Sequence, residues 1–161
     1  MADKWDIRFL KLAKEISSWS KDPSSKIGCV LVDKPNKRIL STGYNGFPAN
    51  IEDTSELLQN REEKYKRIIH AEMNSLLNAL EHGIKVRGSY CYIYGLPLCG
   101  ECAKMLIQGG ISKVFIGDMD LIKREKWKKM WETVSKPLLQ EGNIEIEIVD
   151  QTLAGDSWKS F

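Results

Sequence analysis

The sequence predicts an α/β fold, a five-stranded mixed sheet with helices on both faces. Three observations predict it. Apolar residues recur at helical spacing in some segments and form short alternating or β-branched runs in others. Those segments follow in the order α-β-β-α-β-α-β-α-β, which suits a mixed sheet wrapped by helices. Glycine, proline and polar clusters punctuate the joints. With 161 residues the chain is long enough for one compact domain with its own core. We take residues 1–150 as that domain and 151–161 as a loosely held tail.

The elements come in order. "WDIRFLKLAKEISSWS" puts Trp5, Phe9, Leu12, Ile16 and Trp19 on one helical stripe facing a core. "KDPSSK" ends that helix, because Pro23 disfavours a helical residue before it. "IGCVLVD" and "RILSTGY" are strands, joined by a hairpin turn at "KPNK". "NGFPANIEDTSELLQNREEKYKR" is polar and turn-rich, a long functional loop with about one helical turn. "IIHAEMNSLLNAL" is a helix whose Ile69, Met73, Leu76, Leu77 and Leu80 would face the core, stopped at Gly83. "SYCYIYGL" is a strand, "CGECAKMLIQGG" a short helix and "SKVFIG" a strand. "LIKREKWKKMWETVSKPLL" is a helix with Trp127, Trp131, Val134 and Leu138 on one face, and "NIEIEIVD" is the last strand.

Composition narrows the function. A net charge of +2 is too small to argue for a nucleic-acid or membrane partner. No apolar run approaches the roughly 20 residues of a membrane span. The charged start "MADKWDIRFL" lacks the apolar block of a signal peptide, so a cytoplasmic location is expected. Four cysteines in such a chain suggest thiols or metal ligands rather than a disulfide framework.

Two helix starts carry the chemistry. Cys99 and Cys102 are three apart at the first turn of a helix, so both sulfurs can reach one ion, and a helix N-terminus favours thiolate. Alone, this spacing is also that of a redox pair or half a zinc ribbon. Cys29 and Cys91 supply no second half. They sit in strands, where small buried side chains are expected. His70 opens the preceding helix. Two thiolates and an imidazole make three ligands, and a catalytic zinc takes three plus a water. Glu72 follows at a junction where both side chains can border one cavity, as a base rather than a fourth ligand. A histidine and two cysteines with a nearby glutamate form the signature of zinc nucleobase deaminases. His82 needs only the role of a helix-end residue.

The chain resembles the zinc-dependent cytidine deaminase superfamily, and within it the deoxycytidylate deaminases. The resemblance runs from "FLKLAKEISSWSKDPSSKIGCVLVD" through "ILSTGYNGFP" and "KYKRIIHAEMN" to "LPLCGECAKMLIQGGISKVF", up to about Gly117. It implies a three-layer α-β-α fold with a five-stranded mixed sheet. It implies one catalytic Zn2+ held by His70, Cys99 and Cys102, with Glu72 as proton shuttle. It places Asn45 on the deoxyribose hydroxyl, the Ala71 N–H on the pyrimidine carbonyl, and phosphate or regulatory contacts at Ser24, Ser25 and Lys26. The implied reaction is hydrolysis of dCMP to dUMP and ammonia, supplying dUMP for thymidylate synthesis. A homo-oligomer is implied, and in some members switching by dCTP and dTTP, with Mg2+ accompanying the nucleotide effector.

The chain departs from the family in two places. The family usually has proline immediately before the first zinc cysteine. Here Leu98 stands there, with Pro97 one place earlier. The Tyr-Arg pair that some members use for phosphate after the fourth strand is replaced by "GDMDLIKREKW". Three rival readings stay open at this point. One is a nucleoside cytidine or deoxycytidine deaminase. Another is a tRNA-editing adenosine deaminase, which the near-neutral charge opposes. The third is a binding module with structural zinc, which would normally fill all four metal positions with protein ligands.

Overall fold

The structure, a computed structural model, describes residues 1–118 and 123–155. Parts of "GDMDLIKREKW" and of the expected tail, at 119–122 and 156–161, lie outside the described residues. The sheet is five-stranded, in the order β2-β1-β3-β4-β5, from β1 (Gly28–Asp33), β2 (Arg38–Tyr44), β3 (Tyr90–Tyr94), β4 (Lys113–Gly117) and β5 (Glu145–Val149). β1 runs antiparallel to both β2 and β3, whereas β3, β4 and β5 are mutually parallel. The mixed character arises from the connections. A tight turn forces β2 back along β1, and whole helices carry β3 to β4 and β4 to β5.

Alternation along the strands builds two cores. Cys29, Leu31, Cys91, Ile93, Val114 and Ile116 face one side, while Val30, Val32, Tyr92, Tyr94 and Phe115 face the other. Helix α1 (Lys4–Ser17) covers the second face with Phe9, Leu10 and Ala13. Its N-terminus is fixed by a reciprocal capping box between Asp3 and Asp6. It ends at Ser17, so Trp19 lies past the helix and stays exposed, in contrast to the expected stripe. The first face is covered by α4 (Ala71–Glu81), α5 (Gly100–Gly109), and a final helical stretch of α6 (Glu125–Met130), a π-turn at Trp131–Ser135 and α7 (Lys136–Glu141). The π-turn inserts a residue into the helical phase. Trp131 and Leu139 are therefore buried, while Val134, expected on the same face, is exposed.

Two further expectations change. The long polar loop holds two one-turn helices, α2 (Ser55–Gln59) and α3 (Arg61–Tyr65), with Thr54 and Asn60 as their N-caps. Helix α4 buries its small face fully, and of its leucines only Leu76 packs partly against the core. Ala71, Ser75 and Ala79 are buried, whereas Leu77 and Leu80 are 43% and 74% exposed. The reason is close approach: a Cβ at Gly43 of β2 would overlap the backbone of Ala71 and Ser75. Only small residues fit between helix and strand at that separation. The expected loose tail also begins as structure, with Gln151–Ala154 forming a 3-10 turn in which Gln151 and Ala154 are buried.

Candidate active site

The N-termini of α4 and α5 face one another across the end of the sheet. His70 is the N-cap of α4, with extended backbone, and its side chain makes no capping bond. A serine, threonine or aspartate there would normally satisfy the helix's free N–H groups. The imidazole instead turns to the cysteines: its Nδ1 lies 3.4 Å from the Sγ of Cys99 and 3.4 Å from that of Cys102. Cys99 is the N-cap of α5, and its sulfur accepts the N–H of Cys102 at 3.4 Å. The three ligand atoms all lie within 4.8 Å of one another.

These residues fit a zinc ion. Zinc bonds of about 2.3 Å to sulfur and about 2.0–2.1 Å to nitrogen, at a tetrahedral angle, set an N···S edge of roughly 3.5 Å. The donor set, two sulfurs and a neutral-capable imidazole, is one zinc favours. One of the two thiols, that of Cys99, is already biased toward the thiolate that binding requires. The Cys102 thiol bonded to Cys99, followed by the His70 ring and the Cys102 N–H, holds the Cys99 thiol down to about 4 against the effect of burial. Cys102 is correspondingly pushed up by sharing its proton with Cys99 and by burial. His70 is raised, first by its bond to Cys99 and despite burial.

Glu72, at the second position of α4, is only 3% exposed. Burial raises its carboxyl above the ordinary range, with His70 opposing. It borders a cleft of about 570 Å³, counted out to its open mouth, together with His70, Ala71, Asn45, Leu96 and Pro97. His70 and Glu72, which would diverge inside a helix, share this cleft because His70 lies just outside the helical turn.

At the mouth the substrate candidates divide. Ser24 and Ser25 line the cleft, and Lys26 does not. The Lys26 ammonium is bonded to the carbonyl of Ser20, so its expected role there is not supported by its position. Among the described residues, the lysine and arginine side chains that line the cleft are those of Lys64 and Arg124. Lys64 forms a buried ion pair with Asp22, Nζ to Oδ1 3.1 Å with both side chains 6% exposed, and donates to Ser24 Oγ at 3.3 Å. Arg124 donates to Ser25 Oγ at 2.7 Å and to the Ser24 carbonyl at 3.1 Å. Sequence reasoning chose Lys26 and singled out neither Lys64 nor Arg124. Arg124 meets Ser25 only through the tertiary fold. Asn45 lines the cleft, with its carboxamide holding the nearby loop. Oδ1 accepts from the Ile27 N–H at 2.9 Å, and Nδ2 donates to the Ser25 carbonyl at 2.8 Å. One Oδ1 lone pair is left for another donor.

Comparison with known proteins decides the family. The cytidine and deoxycytidylate deaminase zinc-binding region matches residues 3–118. The chain belongs to the cytidine and deoxycytidylate deaminase family. It is 34% identical to a deaminase from the luxG 3′ region of Aliivibrio fischeri over 146 residues, 91% of this chain and 94% of that protein. It is 37% identical to a probable deoxycytidylate deaminase of Caenorhabditis elegans over 137 residues, 83% of this chain and 68% of that one. The cyanophage S-TIM5 dCMP deaminase, solved in complex with dCMP and dUMP, shares the fold, with TM-score 0.72 and 23% identity over 92% of this chain and 99% of that chain. The five-stranded mixed sheet and its helices are thus those of this deaminase family. No helix among the described residues is long and apolar enough to cross a membrane.

Proposed function

We propose that this protein is a hydrolytic deaminase that converts dCMP and water to dUMP and ammonia. The observation that carries the reading is the convergence of His70, Cys99 and Cys102 beside buried Glu72 at the end of one cleft. Relatives named deoxycytidylate deaminase support the substrate. Zinc held by these three residues would lower the pKa of a water molecule to about 7, so that hydroxide is available at neutral pH.

The remaining work falls to the chain's own side chains. Glu72 takes a proton from the attacking water and delivers it to ring N3, which makes C4 electrophilic. It then carries the second water proton to the amino group, which leaves as ammonia. One carboxylate thus serves as base and then as acid. The Ala71 N–H, at the first position of α4, has no intrahelical acceptor and is free to hold the pyrimidine carbonyl. Asn45 offers its remaining Oδ1 lone pair to the sugar hydroxyl.

The cations at the mouth favour a nucleotide over a nucleoside. Asp22 neutralises Lys64, whereas the contacts found for Arg124 among the described residues are to neutral oxygens. The hydroxyls of Ser24 and Ser25 act as acceptors from Lys64 and Arg124, so each keeps a proton to donate to a phosphate. We assign the phosphate to Arg124, Lys64, Ser24 and Ser25, with Lys26 left out. We also propose a homo-oligomer working in the cytoplasm, with a dCTP–Mg2+ effector as a testable extension.

The test is ammonia release by zinc-loaded protein on dCMP, CMP, deoxycytidine and dCTP in parallel, with and without added dCTP and magnesium. Turnover of dCMP well above the others is expected. Turnover of deoxycytidine alone would keep the chemistry and overturn the substrate. No turnover of any, with zinc bound, would overturn the reaction.

A further inference from the structure

The family match ends at residue 118, yet a residue well beyond it holds the strand end that leads into the wall of the site. Gln151 opens the C-terminal 3-10 turn and is fully buried. Its carboxamide faces the end of β3. The Gly95 N–H donates to Oε1 at 3.1 Å, and Nε2 donates to the Ile93 carbonyl at 3.2 Å. The β3–β4 ladder has its last pair at Tyr92 and Phe115. In a parallel ladder, a single residue of the neighbouring strand donates to the carbonyl of residue i and accepts the N–H of residue i+2. The Gln151 side chain does both for Ile93 and Gly95, one step past the point where β4 stops doing so.

Gly95 leads directly into the site. It adopts φ +110°, Leu96 and Pro97 after it line the cleft, and Cys99 caps α5. Four residues, Gly95 to Leu98, separate the last strand residue from the first sulfur. The family resemblance places a ring-stiffened proline immediately before that cysteine, and here the position is Leu98.

We propose that Gln151 is a positioning residue for the metal cluster. Its carboxamide anchors the start of the Gly95–Leu98 segment and so holds Cys99 in register with His70. It supplies from the C-terminal turn the rigidity that a proline next to the cysteine would have given. The inference rests on the zinc reading of His70, Cys99 and Cys102.

The test measures zinc affinity directly, by competition with a chromogenic chelator, in the full chain carrying Gln151→Ala or Gln151→Glu. Gln151→Glu keeps the acceptor for Gly95 and loses the donor to Ile93. Phe9→Leu, in the core on the α1 face, is the stability control. The expected result is a zinc dissociation constant raised about 10-fold in Gln151→Ala, the lower end of what loss of an outer-shell contact costs, and raised less in Gln151→Glu. Excess zinc should restore most of kcat, and Phe9→Leu should lower Tm without moving the zinc constant. Wild-type zinc affinity in Gln151→Ala, whether or not its Tm falls, would overturn the proposal. Should Gln151→Ala fail to fold, an unchanged constant in Gln151→Glu would overturn it equally. Wild-type protein that binds no zinc would instead sink the zinc reading beneath it.

Discussion

The molecule contains two pairs of neighbouring cysteines, and only one of them belongs to the site. Cys29 and Cys91 lie on adjacent strands with their sulfurs 3.3 Å apart, both fully buried. Cys99 and Cys102 lie at the first turn of α5, their sulfurs within 4.8 Å of one another and of the His70 ring nitrogen. Proximity therefore does not distinguish the pairs. Surroundings do. The Cys91 thiol is driven upward by its bond to Cys29 and by burial, and Cys29 Sγ lies 3.3 Å from the Ser75 hydroxyl. Cys99 has an imidazole, a helix N-terminus and a cleft beside it. A sulfur becomes a ligand where its negative form is stabilised and an ion can reach it. Elsewhere it fills space.

The largest expected effect tests that difference directly. Cys99→Ser should abolish stoichiometric zinc and deaminase activity and lower stability as well, because metal binding is linked to folding. Cys29→Ala should keep one zinc per chain and cost about 1 to 2 kcal/mol of stability as a small cavity. Metal analysis with thermal unfolding of both variants decides this. Loss of zinc in Cys29→Ala would make the buried pair part of the site after all.

Next in size is the acid beside the ligands. Glu72→Gln should retain zinc and lose at least about 10²-fold in kcat, since the amide cannot carry a proton. Wild-type turnover with zinc bound would remove Glu72 from the mechanism.

A smaller effect is chemical. In zinc-free protein Cys99 is held down to about 4, so its thiolate persists as pH falls until about that value. Iodoacetamide at pH 6 should label Cys99 first, and added zinc should protect it. Mass mapping that finds Cys29 or Cys91 labelled at a similar rate would erase the contrast between the pairs.

The smallest effect lies far from either pair. Lys113 holds the Glu147 carboxyl below its ordinary value of 4.5, with burial opposing. A depressed carboxylate stabilises the fold fully above its unfolded pKa, and this contribution fades as pH falls through the folded value. The Tm gap between wild type and Lys113→Met should therefore be largest near neutrality and shrink below about pH 4.5, while zinc content stays the same. Because Glu147 lies on a sheet edge, about 1 kcal/mol or less is expected. A gap that widens on acidification would reverse the assignment.

The elements of the fold were legible where local physics dominates. The β-branched run in "GCVLVD" and the aromatic run in "YCYIY" mark strands, and both strands appear there. The candidate ligand set, which the structure brings together, was legible because His70, Cys99 and Cys102 are scarce residue types at helix starts. The errors share a cause in distance. The leucines of α4 were assigned to the core because they are apolar, but the close approach of α4 to β2 at Gly43 turns Ala71, Ser75 and Ala79 inward, so Leu76 packs only partly against the core and Leu77 and Leu80 are exposed. In the last helix Trp127, Trp131 and Leu138 face the core as expected, and Val134 was misplaced because a π-turn cannot be seen in apolar spacing.

By itself, then, the sequence determined the strand and helix order, the Cys99–Cys102 spacing, and the residue types able to hold a metal beside an acid. Those arise from side-chain chemistry and from spacing within single elements. Only the tertiary structure decided that Cys29 meets Cys91, which cations line the cleft, and which residue anchors the loop before Cys99. Arg124 meets Ser25 across 99 positions, Lys64 meets Asp22 across 42, and Gln151 meets Ile93 across 58. Contacts between residues that far apart are set by the twist, register and packing of the sheet. No local pattern encodes them.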